Sequence, residues 1–217
     1  DMTAPPTPFL RVRAGRIVDG AGREVRLTGV SWFGMEGPSF APLGLSTRPL
    51  GAILDTVKSL GYNVLRLPIS NQLLDPASRV SGIGGQNPDL MGLSGQQMLD
   101  KVIEEAGKRG LRVVLVRDAA AAAQQMGLWY TENYPEQRWI GDWTRLAMRY
   151  RNTPTVVAFD LHQEPHDPAV WGGGSMTLDW RLAAERAGSA ILAVHPELLI
   201  VVQGVGEAAG TGYWWGG

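Results

Sequence analysis

The sequence predicts an α/β fold built around a parallel sheet, and three observations support that prediction. Short apolar runs alternate with amphipathic segments of ten or more residues along most of the chain. Several runs are apolar throughout, which is typical of strands buried on both faces. The links from helix to strand are short, whereas those from strand to helix are long and rich in Gly and Pro. Strands and helices that alternate in this way form parallel sheets with right-handed crossovers.

The elements are predicted in order after a Pro-rich segment, 1–9, that we expect to be a loose tail. Residues 10–28 are expected to form a short hairpin, since turn-forming residues separate short apolar stretches. Strands are then expected at 27–32, at 63–68, at 112–117, from 156 towards Glu164, and at 198–202. Helices are expected from a Thr47 cap to Gly61, from a Ser94 capping box to Gly110, over 135–150 and over 178–194.

Five strands fall short of a closed (β/α)8 barrel, which normally takes about 250 residues. The chain has 217 residues. We therefore interpret residues 1–217 as a single partial domain of the (β/α)8 barrel type, covering about strands 1–5 and an N-terminal hairpin. An open five-stranded sheet is the alternative, and its first and fifth strands would be edges that need cover.

The composition argues against several classes of partner. A net charge of −1, with no basic cluster, indicates neither a nucleic acid nor a membrane surface as partner. No apolar run is long enough to span a membrane, and no signal peptide is visible. The absence of cysteine removes disulfides and thiol catalysis. Eight tryptophans are compatible with both a core and a sugar-binding cleft.

The segment 156–168 carries the clearest chemical signal. An apolar run leads abruptly into ionisable and amide side chains, and two prolines then stop any regular element. Parallel α/β proteins place their catalytic groups at the carboxyl ends of strands. Glu164, which stands between Gln163 and Pro165, is therefore the first candidate for a catalytic group. The alternative is a solvated loop carboxylate.

No cofactor or metal is expected. His162 and His166 are four residues apart, but that spacing binds a metal only on a helix, which Pro165 disfavours. A Gly-rich segment at 172–174 precedes a helix, but no P-loop lysine follows it.

Several segments, taken together and in order, resemble family 5 glycoside hydrolases, and most of all bacterial secreted endo-β-1,4-glucanases. The segments are 65–68, 127–131, 156–168 and 180–188. The resemblance runs from about Gly15 to the end of the chain. It implies hydrolysis of a β-1,4-glucan with retention, by two carboxyl groups about 5–5.5 Å apart. It also implies secretion of the natural relatives, whereas the compartment of this cysteine-free chain is not predicted.

The resemblance assigns roles to individual residues. Glu164 would be the general acid/base, and Arg66 would hold the carboxylate of the nucleophile. Trp32 and Trp129 would lie along the glucan cleft. Gln163 and Trp171 are further candidates for binding the substrate.

The sequence also departs from the family pattern, and the departures cluster at the carboxyl ends of the strands. The family's nucleophile lies on a seventh strand, beyond the five predicted here. Gln163 replaces the family's Asn, and Gln203 stands where the family often has an acid. Asp118 precedes five consecutive alanines, 119–123, in a segment where the family has polar residues. This distribution favours a family framework with an active site altered by engineering, and natural loss of activity is the alternative.

Three functions therefore remain open. The chain would be part of a glucanase that acts when a complementing barrel fragment or a homo-oligomer supplies the remaining strands. Alternatively, it would be a redesigned enzyme in which Asp118, Glu164 or Glu207 acts as a general base on a small, non-sugar ligand, since an apolar pocket strengthens a carboxylate as a base. The third possibility is a non-catalytic scaffold or binding module.

Overall fold

The computed structural model describes residues 9–208 and 211–212, with the side chains of 207, 208 and 211 left out of the description. The predicted tail, except for its last residue, and the aromatic segment 213–217 lie outside the described residues. Two antiparallel strands come first, β1 (Arg11–Arg13) and β2 (Arg16–Val18). A further short antiparallel pair, β8 (Glu207–Ala208) and β9 (Thr211–Gly212), follows the main sheet.

The main sheet contains five parallel strands in the order of the sequence. They are β3 (Gly29–Ser31), β4 (Val64–Ser70), β5 (Arg112–Ala119), β6 (Val156–Asp160) and β7 (Leu199–Val201). Four helices connect them: α1 (Leu50–Ser59), α2 (Gly95–Lys108), α3 (Glu136–Arg149) and α4 (Trp180–Val194). Short 3-10 helices at Gln72–Leu74 and Pro88–Leu90 lie in the long loop after β4. The predicted α/β fold with five interior parallel strands is confirmed.

Helix α2 begins as the sequence predicts. The Ser94 hydroxyl accepts the Gln97 N–H at 3.2 Å, and the Gln97 side-chain oxygen accepts the Ser94 N–H at 2.8 Å. This capping box satisfies donors that the first turn of a helix leaves free.

The predicted Thr47 cap of α1 is wrong. Pro49 is the N-cap residue, and the Thr47 hydroxyl donates to the Gly44 carbonyl instead. The side-chain oxygen of Asn87 accepts the Leu50 N–H at 2.8 Å. A residue from the long loop after β4 therefore caps this helix, and the sequence next to the helix gives no sign of such a cap.

The helices lie on one face of the sheet, and α3 and α4 pack there through large aromatic side chains. Trp139 and Trp143 of α3 are buried, as their helical spacing predicts. Their indole N–H groups both donate to the Leu161 carbonyl, at 3.2 Å each. This shared acceptor fixes the chain immediately after β6, where the predicted site begins.

The N-terminal hairpin closes the amino end of the other face. Leu10 packs with Val157 and Ala158 of β6, and Ile17 lies against the same cluster. The polar residues of the site lie at the opposite end of the sheet. Among the described residues, no helix is both long and apolar enough to cross a membrane.

Candidate active site

A cluster of polar side chains joins β4, β6 and the segment after β7 at the carboxyl edge of the sheet. The Arg66 Nη2 donates to Asp160 Oδ2 at 2.9 Å and also to Gln163 Oε1. The Gln203 Nε2 donates to the same Asp160 oxygen at 2.8 Å. Asp160 is the last residue of β6, so a charge at the end of an apolar strand is paired and hydrogen-bonded.

Burial dominates the electrostatics of Asp160. The Asp160 side chain is 5% exposed. Burial raises its pKa above the usual value, and the hydrogen bonds from Arg66 and Gln203 oppose that rise. The positive charge of Arg66 therefore offsets part of the cost of burying the Asp160 carboxylate.

Glu164 lies beside this cluster in an unusual backbone conformation. Its φ angle is 49°, which is the left-handed region that favours glycine. Its N–H donates to Gln203 Oε1 at 3.0 Å, and its carbonyl accepts from His166 Nδ1 at 2.8 Å. Gln125 also donates to the Gln163 carbonyl at 3.1 Å. The backbone of Glu164 is thus held on both sides, and the half-buried side chain projects from a fixed point.

Replacement of Glu164 by Gly is expected to raise the free energy of unfolding by about 1 kcal/mol, because left-handed backbone costs about 1–2 kcal/mol for residues with a Cβ. Equilibrium urea unfolding followed by far-UV circular dichroism measures this change. Gln124→Gly is the matched control in an exposed loop with ordinary backbone, where we expect a loss of stability. Equal losses in both variants would show that the conformation at 164 stores no strain.

Asp118 lies near the end of β5 and is partly buried. Burial raises its pKa to about 6, and the neighbouring negative charge of Glu36 adds to that shift. The charges of Arg66 and Arg117 oppose the rise, and Glu164 contributes a further, smaller increase. The charges of Glu36 and Glu164 therefore both act on Asp118 in this polar region.

The contribution of Asp118 to stability is expected to fall as the pH rises from 4 to 7, because Asp118 binds its proton more tightly in the folded chain than in the unfolded chain, whereas the buried neutral His162 changes stability in the opposite direction. The group's folded-state pKa of about 6 lies above the ordinary value of 3.8, so the unfavourable contribution develops between these values. Asp118→Asn should remove this contribution, so that the variant becomes more stable relative to the unmodified chain as the pH rises. Urea midpoints at pH 4, 5, 6 and 7 test this, and an unchanged slope in the variant would contradict it.

Arg117 and Asp118 are successive residues of β5, so their side chains face opposite sides of the sheet. Arg117 points to the face that the helices cover. It is fully buried, and burial lowers its pKa to about 9. Its Nε donates to Asn71 Oδ1 at 3.0 Å, and its Nη1 lies 2.9 Å from His162 Nδ1. Because a guanidinium only donates, His162 Nδ1 accepts, and burial beside this charge keeps the pKa of His162 well below its usual value. His162 is therefore a neutral part of the core packing.

The predicted aromatic platforms are only partly placed as expected. Trp129 is fully buried, with ring centroids 5.6 Å from Trp180 and 6.3 Å from Trp139. The assignment of Trp129 to the cleft is therefore wrong, because the ring has no free face for a sugar. Trp32 follows β3, is partly buried, and donates its indole N–H to the Leu43 carbonyl at 2.9 Å. Trp171 is 49% exposed in the loop between β6 and α4.

The alanine segment, 119–123, begins at the last residue of β5 and continues as a loop, the alanine loop, that is held through main-chain groups. The N–H of Ala122 donates to Gln72 Oε1 at 2.8 Å, and that of Ala123 donates to the Glu36 carbonyl at 3.0 Å. An open depression of about 370 Å³ lies beside Ala121. Its remaining lining residues are Gln72, Asp75, Asn133, Tyr134 and Arg138.

Three residues of the cluster were not assigned a role from the sequence. Asp160 could have been recognised as an acid that ends an apolar strand, which requires a partner. Gln203 was noted only as a replacement for an acid, and Glu36 lies in a Gly/Pro-rich loop without a recognisable pattern. The side chain of Glu207 lies outside the described part of the chain, so its predicted role stays a prediction.

A parallel sheet wound in sequence order, with an ionisable cluster at its carboxyl edge, has the architecture of the N-terminal part of a (β/α)8 barrel enzyme. The model of the cellulase family, glycosyl hydrolase family 5, matches residues 18–217. This chain belongs to glycoside hydrolase family 5.

Two endoglucanases that are similar to this chain agree with this membership. An endoglucanase of Paenibacillus polymyxa is 49% identical over 96% of the chain, which spans 54% of that relative. The major extracellular endoglucanase of Xanthomonas campestris pv. campestris is 39% identical over 93% of the chain, which spans 43% of that relative. The chain therefore spans about half the length of these relatives.

Solved structures show the same fold. The catalytic domain of the major endoglucanase from Xanthomonas campestris pv. campestris superposes with a TM-score of 0.91 at 38% identity, over 96% of this chain and 62% of that one. A variant endocellulase from Pyrococcus horikoshii in complex with cellotetraose gives a TM-score of 0.88 at 36% identity, over 97% and 64%.

Proposed function

We propose that this chain carries the proton-transferring part of a site that hydrolyses β-1,4-glucans, with Glu164 as the general acid/base. The observation that carries the proposal is the fixed position of Glu164 beside the Arg66–Asp160 ion pair, at the carboxyl edge of a family 5 sheet. In this role the carboxyl group of Glu164 donates a proton to the glycosidic oxygen as the bond to the sugar breaks. It then takes a proton from the attacking water.

Retention requires a second carboxyl group, about 5–5.5 Å from the first, that attacks the sugar carbon. The resemblance to the family assigns that group to a seventh strand. We propose that strands from the remaining half of the barrel pair with β3 and β7, which are the edges of the five-stranded sheet in the described part of the chain. Those strands would come from a complementing fragment or from a longer chain.

Arg66 and Gln163 have proposed roles beside the proton donor. Arg66 is held by Asp160 and Gln163, and its side chain is 29% exposed, so it can face a nucleophile carboxylate. The Gln163 oxygen is turned to Arg66, which leaves the side-chain NH₂ group to donate to a sugar hydroxyl. Trp32, which follows β3, and Trp171, in the loop between β6 and α4, are the proposed stacking surfaces. The natural setting of such a site is extracellular, as the name of the Xanthomonas relative states for that protein.

Complementation tests this proposal. The chain is incubated with cellotetraose, alone and together with a second chain that carries the rest of the barrel from the Paenibacillus relative. Shorter sugars are expected only from the combination, because the nucleophile comes from the added chain. A combination that forms a stable complex and releases no sugar would overturn the proposal.

A second function is favoured by Asp118, whose raised pKa of about 6 suits a general base near neutral pH. In this alternative, Asp118 removes a proton from a small non-sugar ligand beside the alanine loop. A benzisoxazole that opens on loss of its carbon-bound proton is the probe. The rate should increase as the pH rises through about 6 and be lost in Asp118→Asn, whereas a rate equal to that of free acetate would reject this alternative.

A further inference from the structure

The side chain of Gln203 connects residues of the site that come from different parts of the sheet. Gln203 follows β7, and its Oε1 accepts the Glu164 N–H at 3.0 Å. Its Nε2 donates to Asp160 Oδ2 at 2.8 Å and lies 3.4 Å from Gln163 Oε1. One neutral amide therefore contacts the candidate acid/base, the buried ion pair and the neighbouring glutamine.

The orientation of this amide is determined by its partners. A peptide N–H can only donate, so Glu164 requires the oxygen of the Gln203 side chain. A carboxylate oxygen accepts, so Asp160 requires the nitrogen. An acid at position 203 would keep the first contact and place a second carboxyl group against Asp160. An aliphatic side chain would lose both contacts.

Gln203 is itself held from the helix layer. The indole N–H of Trp180, the first residue of α4, donates to the Gln203 carbonyl at 2.7 Å. Trp180 is fully buried among aromatic rings. The contact between Gln203 and Glu164 therefore links the buried aromatic cluster around Trp180 to the edge of the site.

We propose that Gln203 is a positioning residue that holds the left-handed backbone of Glu164 and, through the same amide, orients the Asp160–Arg66 pair. This inference rests on the proposed role of Glu164. Because the amide carries no charge, it holds both partners over a pH range in which an acid at the same place would titrate against Asp160. The position is thus suited to fixing a proton donor without adding a competing one.

Amide hydrogen exchange of the full chain, followed by NMR, tests the proposal without sugar or turnover. Gln203→Leu should lower the protection factor of the Glu164 amide about tenfold, which is the effect of losing one hydrogen bond of ordinary strength. Gln203→Glu should come closer to the unmodified chain at pH 5 than at pH 8, because two carboxyl groups in contact share a proton more readily in acid. At pH 8, repulsion between two carboxylates should lower protection in this variant. Gln137→Leu, on the exposed surface of α3, is the control and should change nothing at Glu164.

An unchanged Glu164 protection factor in Gln203→Leu would overturn the proposal. If that variant loses protection throughout β5 and β6, Gln203→Glu decides alone, and identical protection relative to the unmodified chain at pH 5 and pH 8 would overturn it. A complemented assembly without glucanase turnover, together with a Glu164 amide that responds as expected, would reject only the proposed function. Turnover in the complemented assembly with no response at Glu164 would reject only the role of Gln203.

Discussion

Glu164→Gln, measured in the complemented barrel, should lower the turnover of cellotetraose by a factor of about 10² to 10⁴. The amide cannot deliver a proton to the departing sugar oxygen, although it has nearly the same size as the acid. The loss in kcat/KM should be much smaller for a dinitrophenyl cellobioside, because that leaving group departs in the first step without protonation, whereas the later attack by water still lacks its base. Release of reducing sugar and of dinitrophenol gives the two rates.

Glu132→Gln is the matched control, since Glu132 is exposed and lies outside the polar cluster. Its turnover should equal that of the unmodified assembly. Equal losses of kcat/KM on both substrates in Glu164→Gln would assign Glu164 a structural role in place of proton transfer.

Trp180→Ala should lower the free energy of unfolding by about 4 kcal/mol, within the range for removing a large buried aromatic side chain. Trp180 is fully buried, and its ring centroid lies 5.6 Å from that of Trp129 and 5.9 Å from that of Trp139. The substitution leaves a cavity between β6 and the helices and also removes the donor to the Gln203 carbonyl. Urea unfolding followed by far-UV circular dichroism avoids the change in tryptophan fluorescence.

Trp171→Ala removes the same side chain from a site where it is 49% exposed. Its effect should stay within about 0.5 kcal/mol. Similar losses in the two variants would show that the aromatic cluster around Trp180 contributes no more than surface packing.

Most of the fold could be predicted because its signals are local. Val113 to Val116 of β5 are apolar throughout, and the Ser94 capping box marks the start of α2, so strand and helix are recognisable within a few residues. The cap of α1 could not be predicted, since Asn87 lies 37 residues beyond the N–H that it accepts. Strand β7 is shorter than the expected 198–202, because sequence pattern gives the ends of an element poorly.

The candidate site could be predicted only where position along a strand decides function. The place of Glu164 after an apolar strand was sufficient to single it out, and Arg66 was identified through the resemblance. The burial of Trp129 could not be anticipated, because the direction of a loop side chain depends on α3 and α4 packing around it. The bridging role of Gln203 depends on three-dimensional proximity to Glu164, 39 residues earlier in the chain.

The alanine loop also bears on how the sequence of this fold can evolve. Its shape depends on N–H groups of Ala122 and Ala123 that donate to Gln72 and to Glu36, while the side chain of Ala122 packs against the core. Because these donors are main-chain groups, a change of side chain preserves both hydrogen bonds, except that proline would remove a donor. Ala123 has a φ of 60°, so Gly and Asn are the replacements that suit its backbone. Selection for a new ligand can therefore act on the side chains of this loop separately from selection for folding.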